Sequence, residues 1–316
     1  MTEADVSSSS SSSLKPSYVA GYVVICLIWG STWLAIGVTV KDIPPFEACG
    51  IRFLLAGIVL LSVAAGQRRK WPQGADQWKA ILLLSLTMMA IPFGLVFWAE
   101  QHVFSSMAAI LYSASPLVIS MFTSVFMHQK VPRRAVLAMV VAFGGIVALL
   151  YTEPSTSRLA LVSYGALLTA MTLAAWSVVY AKQRLHHVDP VVSTGLQLFF
   201  GAIALGWATW ALESHRHAVW TRPAFIALAF LTVVGSCIAF VVYYWLLKHM
   251  QPYQIGTASL VIPVIAVFEG WLRGEAVRWM MMVVVVIILA SVATALRAEE
   301  HAGSEIEVLA LRDAAE

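Results

Sequence analysis

The chain has 316 residues, of which 60% are hydrophobic and only 12% are charged, and its formal net charge is +3. Soluble globular chains carry about 25% charged residues, so the composition excludes a soluble enzyme and a disordered scaffold, and the low, dispersed positive charge excludes nucleic-acid binding. Apolar runs of about 18 to 24 residues, without alternation of polar and apolar positions, exclude a membrane β-barrel and predict a polytopic α-helical membrane protein.

The N-terminal tail contains an unbroken serine run from Ser7 to Ser13, and Lys15 is its only basic residue. A secretory signal needs basic residues followed directly by an apolar core, so this order predicts a disordered tail over residues 1–18. Ten apolar spans of transmembrane length follow. They are 19–40, 46–66, 78–98, 104–127, 133–152, 162–182, 190–212, 222–247, 255–273 and 277–296. Residues 297–316 are charged and are predicted to form a C-terminal tail.

The lysines and arginines of the short loops predict how the spans are oriented. With the N-terminus inside the cell, 13 of the 20 basic residues fall on the inner side, 6 on the outer side and Arg52 within a span. Basic residues concentrate in cytoplasmic segments of membrane proteins. We therefore predict that both termini are cytoplasmic and that the chain spans a bacterial inner (plasma) membrane many times.

The two halves of the chain repeat each other at a constant offset of 147 residues, the distance from Trp29 to Trp176. Four further pairs share this offset, namely Trp98 and Trp245, Phe93 and Phe240, His102 and His249, and Pro116 and Pro263. The predicted repeats are 19–152 and 162–296. Each holds five spans, an odd number, so the second repeat must enter the membrane inverted. Inverted repeats are typical of secondary transporters, whose substrate site lies near the membrane midplane between the halves.

The fourth span is the most polar of the ten, and its repeat equivalent, the ninth span, is similar. Pro116 and Pro263 each remove one helical hydrogen bond and free the carbonyl four residues earlier. In lipid a freed carbonyl must face protein or a water-filled cavity, so the prolines predict a central pathway with a gate or helix break at each proline. The predicted substrate-binding residues here are Tyr112, Ser113, Ser115, Thr257 and Ser259. The alternative is a pair of kinks satisfied by serine hydroxyls, without ligand contact.

Aromatic residues of the first, third, sixth and eighth spans form a second candidate cluster. They lie deep enough in their spans to line an amphipathic pocket, and the alternative is ordinary core packing. The predicted substrate-binding residues here are Trp29, Ser31, Thr32, Phe93, Trp176, Tyr180, Phe240 and Tyr244. Trp98 and Trp245 lie near span ends and are predicted to anchor the chain at the membrane interface.

Ionisable residues in spans are functional candidates, because each costs about 2.5–3.5 kcal/mol at the bilayer centre. Arg52 lies about two turns inside the second span, where it can serve the pathway or extend to the interface. Glu269 precedes Arg273 by four residues, a spacing that predicts a local ion pair. Three candidates at span ends can relay protons or be hydrated by headgroups: Glu100, His102 and His249.

Motifs for catalysis and for metal binding are missing from the sequence. It contains no HExxH, no GxSxG, no nucleotide-binding loop and no aspartate-rich diphosphate motif, so we predict neither an enzyme nor a cofactor or metal site. The three cysteines, Cys26, Cys49 and Cys237, lie in apolar runs and are interpreted as packing residues.

Several motifs resemble those of EamA-type permeases of the drug/metabolite transporter superfamily, over roughly residues 19–296. They are Trp29-Gly30-Ser31-Thr32, Arg52-Phe53-Leu54-Leu55-Ala56, Trp98 through Val103, Ala108-Ala109, Pro116, Pro263 and Gly270 through Glu275. The resemblance implies ten helices around a central cavity built from spans one, three, four, six, eight and nine. The first half has His128-Gln129 where the family often carries Gly-Glu, so the role of that glutamate is left to Glu275 alone.

Family members export amino acids and other small metabolites, or carry sugars and nucleotide-linked compounds. We therefore expect an all-α integral membrane permease that exports a small amphipathic metabolite, for example an amino acid, by alternating access. Its expected partners are this small molecule and the lipid bilayer, protons are a candidate coupling ion, and the expected state is a monomer or weak dimer. The alternatives are a flippase for lipids or lipid-linked substrates and a membrane-embedded enzyme.

Overall fold

The computed structural model describes residues 16–127, 157–185, 187–247, 258–274 and 279–291 except 288, together with scattered positions between 133 and 148. The regular elements in these ranges are all helices, which confirms the predicted all-α membrane fold.

The first half contains α1 (Pro16–Thr39), α2 (Pro45–Gly66), α3 (Ala75–Leu84, continuing through Ser85–Ala90 to Ile91–Ala99), α4 (Ser105–Tyr112) and α5 (Ser115–Met127). The second half contains α6 (Arg158–Arg184), α7 (Pro190–Ala208, continuing over Thr209–Glu213), α8 (Arg222–Thr232, Val233–Ile238 and Ala239–Leu247), α9 (Ala258–Leu272) and α10 (Trp279–Ser291).

Six helical stretches of the described chain are long and apolar enough to cross a membrane, and three shorter apolar helices follow them. These nine occupy the positions predicted for spans one to four and six to ten, with α4 and α5 together forming span four. The predicted fifth span, 133–152, lies largely outside the described residues, so the total of ten spans stays a prediction.

Side-chain caps fix where several helices begin. Asp189, Ser157 and Thr221 each accept hydrogen bonds from backbone N–H groups two or three residues later, at the starts of α7, α6 and α8. The first N–H groups of a helix have no partner within the helix, so such caps are needed where water is scarce. Pro190 follows Asp189 at the first position of α7, where its missing N–H costs nothing.

α3 and α8 each contain a π-helical segment, Ser85–Ala90 and Val233–Ile238. At the repeat offset of 147, the second segment corresponds to positions 86–91, within one residue of the first. A π-helical turn holds an extra residue, and such turns frequently occur at functional sites. The two π-helical segments were not predicted from the sequence. Both spans are apolar on all faces, so six residues of π-helix do not alter the periodicity of hydrophobic residues in a recognisable way.

α2 and α7 are equivalent helices of the two repeats, and they pack against each other in antiparallel orientation. At the N-terminal end of α2, Glu213 from the end of α7 accepts hydrogen bonds from Glu47 N at 3.1 Å and Phe46 N at 3.3 Å. At the opposite end, Arg69 Nη1 lies 3.0 Å from Asp189 Oδ2. The antiparallel pairing of equivalent helices confirms the predicted inversion of the second repeat.

Glycines let α2 and α7 approach each other closely. A Cβ atom at Gly57 would lie 2.9 Å from Phe199 N, and one at Gly50 would lie 3.5 Å from Leu205 Cβ. At the repeat offset, these two α7 residues correspond to positions 52 and 58 of α2. The pseudo-two-fold axis that relates the halves therefore crosses α2 close to position 54.

The other helix contacts follow the same symmetry. α1 packs against α8 and α9, and α6 packs against α3 and the α4–α5 pair. The pseudo-two-fold axis relates α1 to α6, α3 to α8 and the α4–α5 pair to α9. The contacts of α1 with α8 and α9 are therefore equivalent to those of α6 with α3 and the α4–α5 pair. Outward faces carry exposed apolar side chains such as Leu55 and Val59, as expected where helices contact lipid.

Candidate functional site

Span four is interrupted beside Pro116. α4 ends at Tyr112 and α5 begins at Ser115, so residues 113–114 form a turn between them. Ser113 is buried, and its hydroxyl donates a hydrogen bond to the carbonyl of Ile110 at 2.6 Å. Polar atoms therefore gather at a break in the middle of a span, which is tolerated in a membrane only where they face protein or water.

The ninth span differs from the fourth in its described part. Pro263 lies inside α9, which runs without interruption from Ala258 to Leu272. Thr257 lies outside the described residues, as does the side chain of Ser259. The gating role predicted for both prolines stays a prediction, with a helix break seen beside Pro116.

The predicted aromatic residues form separate pairs. Tyr112 of α4 packs against Trp33 of α1, with ring centroids 5.4 Å apart. Trp176 and Tyr180, one turn apart on α6, stack at 5.2 Å with an interplanar angle of 21°. Trp33 was not among the predicted site residues, although its place within the Trp29-Gly30-Ser31-Thr32-Trp33 run made it a candidate.

Trp29 packs against α8. Its ring packs against Tyr243 of α8 at 5.4 Å, in a small apolar cluster with Ile25 and Leu246. The side chains of Phe240 and Tyr244 lie outside the described part of α8.

Arg52 of α2 is buried at the junction of four helices. Its Nε donates a hydrogen bond to Ser236 Oγ at 3.1 Å, within the π-helical segment of α8. Its guanidinium carbon lies 5.7 Å from the centroid of the Phe93 ring of α3. Thr32 of α1 closes the group, because a Cβ atom at Gly235 would lie 3.0 Å from Thr32 Cγ2 and 3.7 Å from Arg52 Nη2.

The structure thus brings three predicted residues, Arg52, Phe93 and Thr32, to one place and adds two that the sequence did not indicate. Ser236 and Gly235 lie in an apolar span, and neither matches a polar residue at the repeat offset. Their position beside Arg52 depends on the π-helical segment of α8, which no sequence pattern indicated.

Glu100 is buried at the C-terminal end of α3, although its position at a span end also fitted hydration by headgroups. Its Oε2 accepts a hydrogen bond from Ser105 Oγ at 2.7 Å. Gly37 of α1 lies against this pair, and a Cβ atom there would lie 2.4 Å from Ser105 Oγ. The nearby His102 packs its ring against Trp98 at 5.0 Å. His249 lies outside the described residues.

The predicted ion pair between Glu269 and Arg273 is wrong for these two described side chains. Glu269 turns instead towards α1, where its Oε1 lies 2.5 Å from Ser31 Oγ, while its Oε2 is buried without a hydrogen-bond partner. Because α9 packs against α1, Ser31 lies within hydrogen-bond distance of the Glu269 carboxylate. Arg273, although only one turn further along α9, does not reach it.

Glu269 and Ser31 lie in a groove of about 590 Å³ between α1, α8 and α9. Most of its lining is apolar, and Arg222 and Arg273 also border it. Ile226, another lining residue, is 56% exposed, so the groove opens onto the apolar outer surface of the bundle.

Comparison with known proteins identifies a family of similar sequences. The sequence model of the EamA-like transporter family matches the chain twice, over residues 17–151 and 161–297. The family thus matches most of the chain, once in each repeat.

Individual relatives are similar over most of their length. YoaV of Bacillus subtilis (strain 168), named an uncharacterized transporter, is 26% identical over 256 residues, which cover 80% of this chain and 87% of YoaV. YedA of Escherichia coli (strain K12), named an uncharacterized inner membrane transporter, is 28% identical over 263 residues, which cover 81% of this chain and 84% of YedA.

A solved crystal structure shares the fold. It superimposes with a TM-score of 0.63 at 18% identity, over 90% of this chain and 98% of the other. This similarity supports the arrangement of the helices and carries no information on the substrate.

Proposed function

Because this chain belongs to the EamA-like transporter family, we propose that it is a secondary transporter that exports a small amphipathic metabolite, such as an amino acid, across a bacterial inner membrane. Its mechanism would be alternating access, in which the two repeats rock about the membrane midplane. Both termini would be cytoplasmic, and the working unit would be a monomer or weak dimer. The inner-membrane location is supported by the name of YedA.

The antiparallel pairing of α2 and α7 is the observation that carries this proposal. Because the two halves are equivalent but inverted, each half can adopt the conformation of the other. When the halves exchange conformations, a central site that was open to one side of the membrane becomes open to the other side. The α2–α7 pair is joined at both ends, so it would serve as the fixed element about which the remaining helices move.

The proposed substrate site lies between these moving helices. The turn at residues 113–114 offers polar groups in the middle of a span, and Trp33 and Tyr112 supply aromatic surface beside it. Trp176 and Tyr180 form a second aromatic pair on α6, which packs against α4 and α5. Polar groups beside rings suit a molecule with one apolar and one polar part. The substrate-binding roles of Ser31, Thr32, Ser113 and Ser115 are part of this proposal.

A thermal-shift screen of the purified protein against amino acids, sugars, nucleosides and cationic drugs tests this proposal. A ligand that binds only the folded state stabilises it by about 2.7 kcal/mol at a hundred times its dissociation constant. We expect a stabilising ligand whose effect is lost in Trp176→Ala and reduced in Tyr112→Phe, and which crosses the membrane of proteoliposomes containing the protein.

The matched control is Val178→Ala, two residues from Trp176 on the same helix and exposed on its outer face. It should keep the ligand effect and the flux. Equal loss in all three variants would indicate general destabilisation, and a ligand that binds but never crosses the membrane would contradict a transporter.

Protons are the proposed coupling ion, with Glu269 as their carrier, because its carboxylate lies in the groove with one oxygen free of hydrogen bonds. Collapsing the pH gradient should then abolish uptake into everted vesicles that contain the unaltered protein. Glu269→Gln should lose this pH dependence while exchange of labelled for unlabelled substrate continues. Uptake that is unchanged after collapse of the gradient would leave facilitated diffusion as the mechanism.

A lipid or lipid-linked substrate is the second candidate, because the groove between α1, α8 and α9 opens onto the apolar surface of the bundle. An acyl chain could occupy such a groove with its headgroup near Arg222 and Arg273. Scrambling of fluorescent lipids in proteoliposomes, together with a silent screen of soluble ligands, would favour this function over metabolite export.

A further inference from the structure

Arg52 lies where the two halves of the protein meet. It is two positions from the point where the pseudo-two-fold axis crosses α2, and only 5% of its surface is exposed. Its neighbours, Phe93, Ser236 and Thr32, come from three other helices, two of which belong to the first half and one to the second. In transporters built from inverted repeats, this region holds the substrate.

The charge of Arg52 has no counter-ion among the described residues. The carboxylate of Asp189 pairs with Arg69, and no acidic side chain of the described chain lies within ion-pair distance of Arg52. Its Nη1 atom is buried without a hydrogen-bond partner. A buried cation is costly unless an anion neutralises it, so its retention here indicates a partner that the described residues do not provide.

The guanidinium is not needed to satisfy its neighbours. Ser236 Oγ also lies 3.1 Å from the carbonyl of Leu231, so this hydroxyl keeps a partner when Arg52 is replaced. The Phe93 ring attracts a cation by its π face, but this interaction neutralises no charge. Packing alone therefore gives no reason for an arginine at this position.

We propose that Arg52 binds the carboxylate of the transported substrate, which is therefore a small organic molecule with a single carboxylate. A single carboxylate neutralises the single guanidinium and fits the planar fork of its N–H donors. A dianion would leave an uncompensated negative charge in the same low-dielectric place. The Phe93 ring, against which the guanidinium lies, offers apolar surface to the carbon skeleton.

This proposal rests on the proposed transport function and adds the chemical class of the substrate. The probes are phenylacetate, its neutral amide phenylacetamide, octanoate and inorganic phosphate, each added to the purified protein and to proteoliposomes. A larger effect of octanoate than of phenylacetate would indicate a lipid-derived carboxylate rather than a soluble one. The variants are Arg52→Met and Arg52→Lys, with Arg184→Met, at an exposed arginine in the last turn of α6, as a control for loss of an arginine outside the site.

We expect the carboxylates, and not the amide or phosphate, to raise the unfolding temperature of the unaltered protein and of Arg184→Met. Arg52→Met should lose this shift and at least tenfold of carboxylate flux, while its own unfolding temperature stays equal or rises, because a neutral side chain replaces an unpaired buried charge. Arg52→Lys should retain part of the shift, since it keeps the charge without the planar fork.

Four results would overturn the proposal. One is an unaltered protein that no carboxylate stabilises, and another is an Arg52→Met variant that responds to carboxylates as before. The third is an Arg52→Met variant that unfolds several degrees earlier, which would show that the arginine has a structural role. Undiminished flux of a neutral or cationic substrate through Arg52→Met would reject the carboxylate site and leave the transport function intact.

Discussion

Replacing Gly57 with leucine is expected to lower the free energy of unfolding by about 3 kcal/mol, because inserting atoms into a closely packed interface costs up to this amount. A Cβ atom at Gly57 would lie only 2.9 Å from the backbone nitrogen of Phe199 and 3.2 Å from the carbonyl oxygen of Gly195. Backbone atoms cannot turn aside as a flexible side chain does, so α2 and α7 would have to separate. Chemical unfolding of the purified protein, followed by intrinsic tryptophan fluorescence, measures the loss.

Gly165→Leu is the matched control. Gly165 lies within α6, and nothing lies within 4 Å of a Cβ atom built there. The same substitution should leave the free energy of unfolding equal or raise it by up to about 1 kcal/mol, because leucine favours a helix more than glycine does. Equal unfolding of Gly57→Leu and the unaltered protein would contradict the close α2–α7 contact.

Replacing Glu213 with alanine is expected to lower the free energy of unfolding by about 2 kcal/mol, because two partly buried backbone N–H groups lose their acceptor. Glu213 is 4% exposed, and its carboxylate accepts hydrogen bonds from Phe46 N and Glu47 N at the start of α2. The residue before α2 is Pro44, which provides no side-chain cap of its own. The helix therefore depends on a residue from the other half of the protein.

Glu213→Gln keeps one of the two acceptors, because its amide oxygen can still accept from one backbone N–H while an NH2 group replaces the other oxygen. It should lose about half as much as Glu213→Ala, and this loss reflects one hydrogen bond together with the negative charge at the helix N-terminus. Ser214→Ala, next along the chain and exposed, controls for the local backbone. The cap would be refuted by a Glu213→Ala variant as stable as Ser214→Ala in the same unfolding titration.

The membrane fold and the repeat could be predicted because they depend on long patterns. Hydrophobic runs mark the spans, and matched residues such as Trp98 and Trp245 reveal the offset without any knowledge of packing. The number of spans in each half then fixes the inversion by parity alone. The antiparallel contact of α2 and α7 is a direct result of that parity.

The candidate site could be predicted only in part, because its contacts join residues that are far apart in sequence. The spacing of Glu269 and Arg273 favoured a local ion pair. In the structure, the hydroxyl of Ser31, 238 residues away in sequence, donates a hydrogen bond to the Glu269 carboxylate instead. Arg52 was a candidate by its charge alone. The hydrogen-bond partner of Arg52, Ser236, could not be predicted, because its hydroxyl faces α2 within the π-helical segment of α8.

The antiparallel contact between α2 and α7 also bears on how such a gene can arise. Since the two helices are equivalent, the same contact would form between two separate half-length chains inserted in opposite orientations. In that ancestral pair, an arginine at position 52 would occur twice, close to the symmetry axis, and the two charges would repel each other. Duplication and fusion remove this constraint, because each copy can then change alone. The second half has Phe199 at the equivalent position, so the fused chain carries a single positive charge beside its axis.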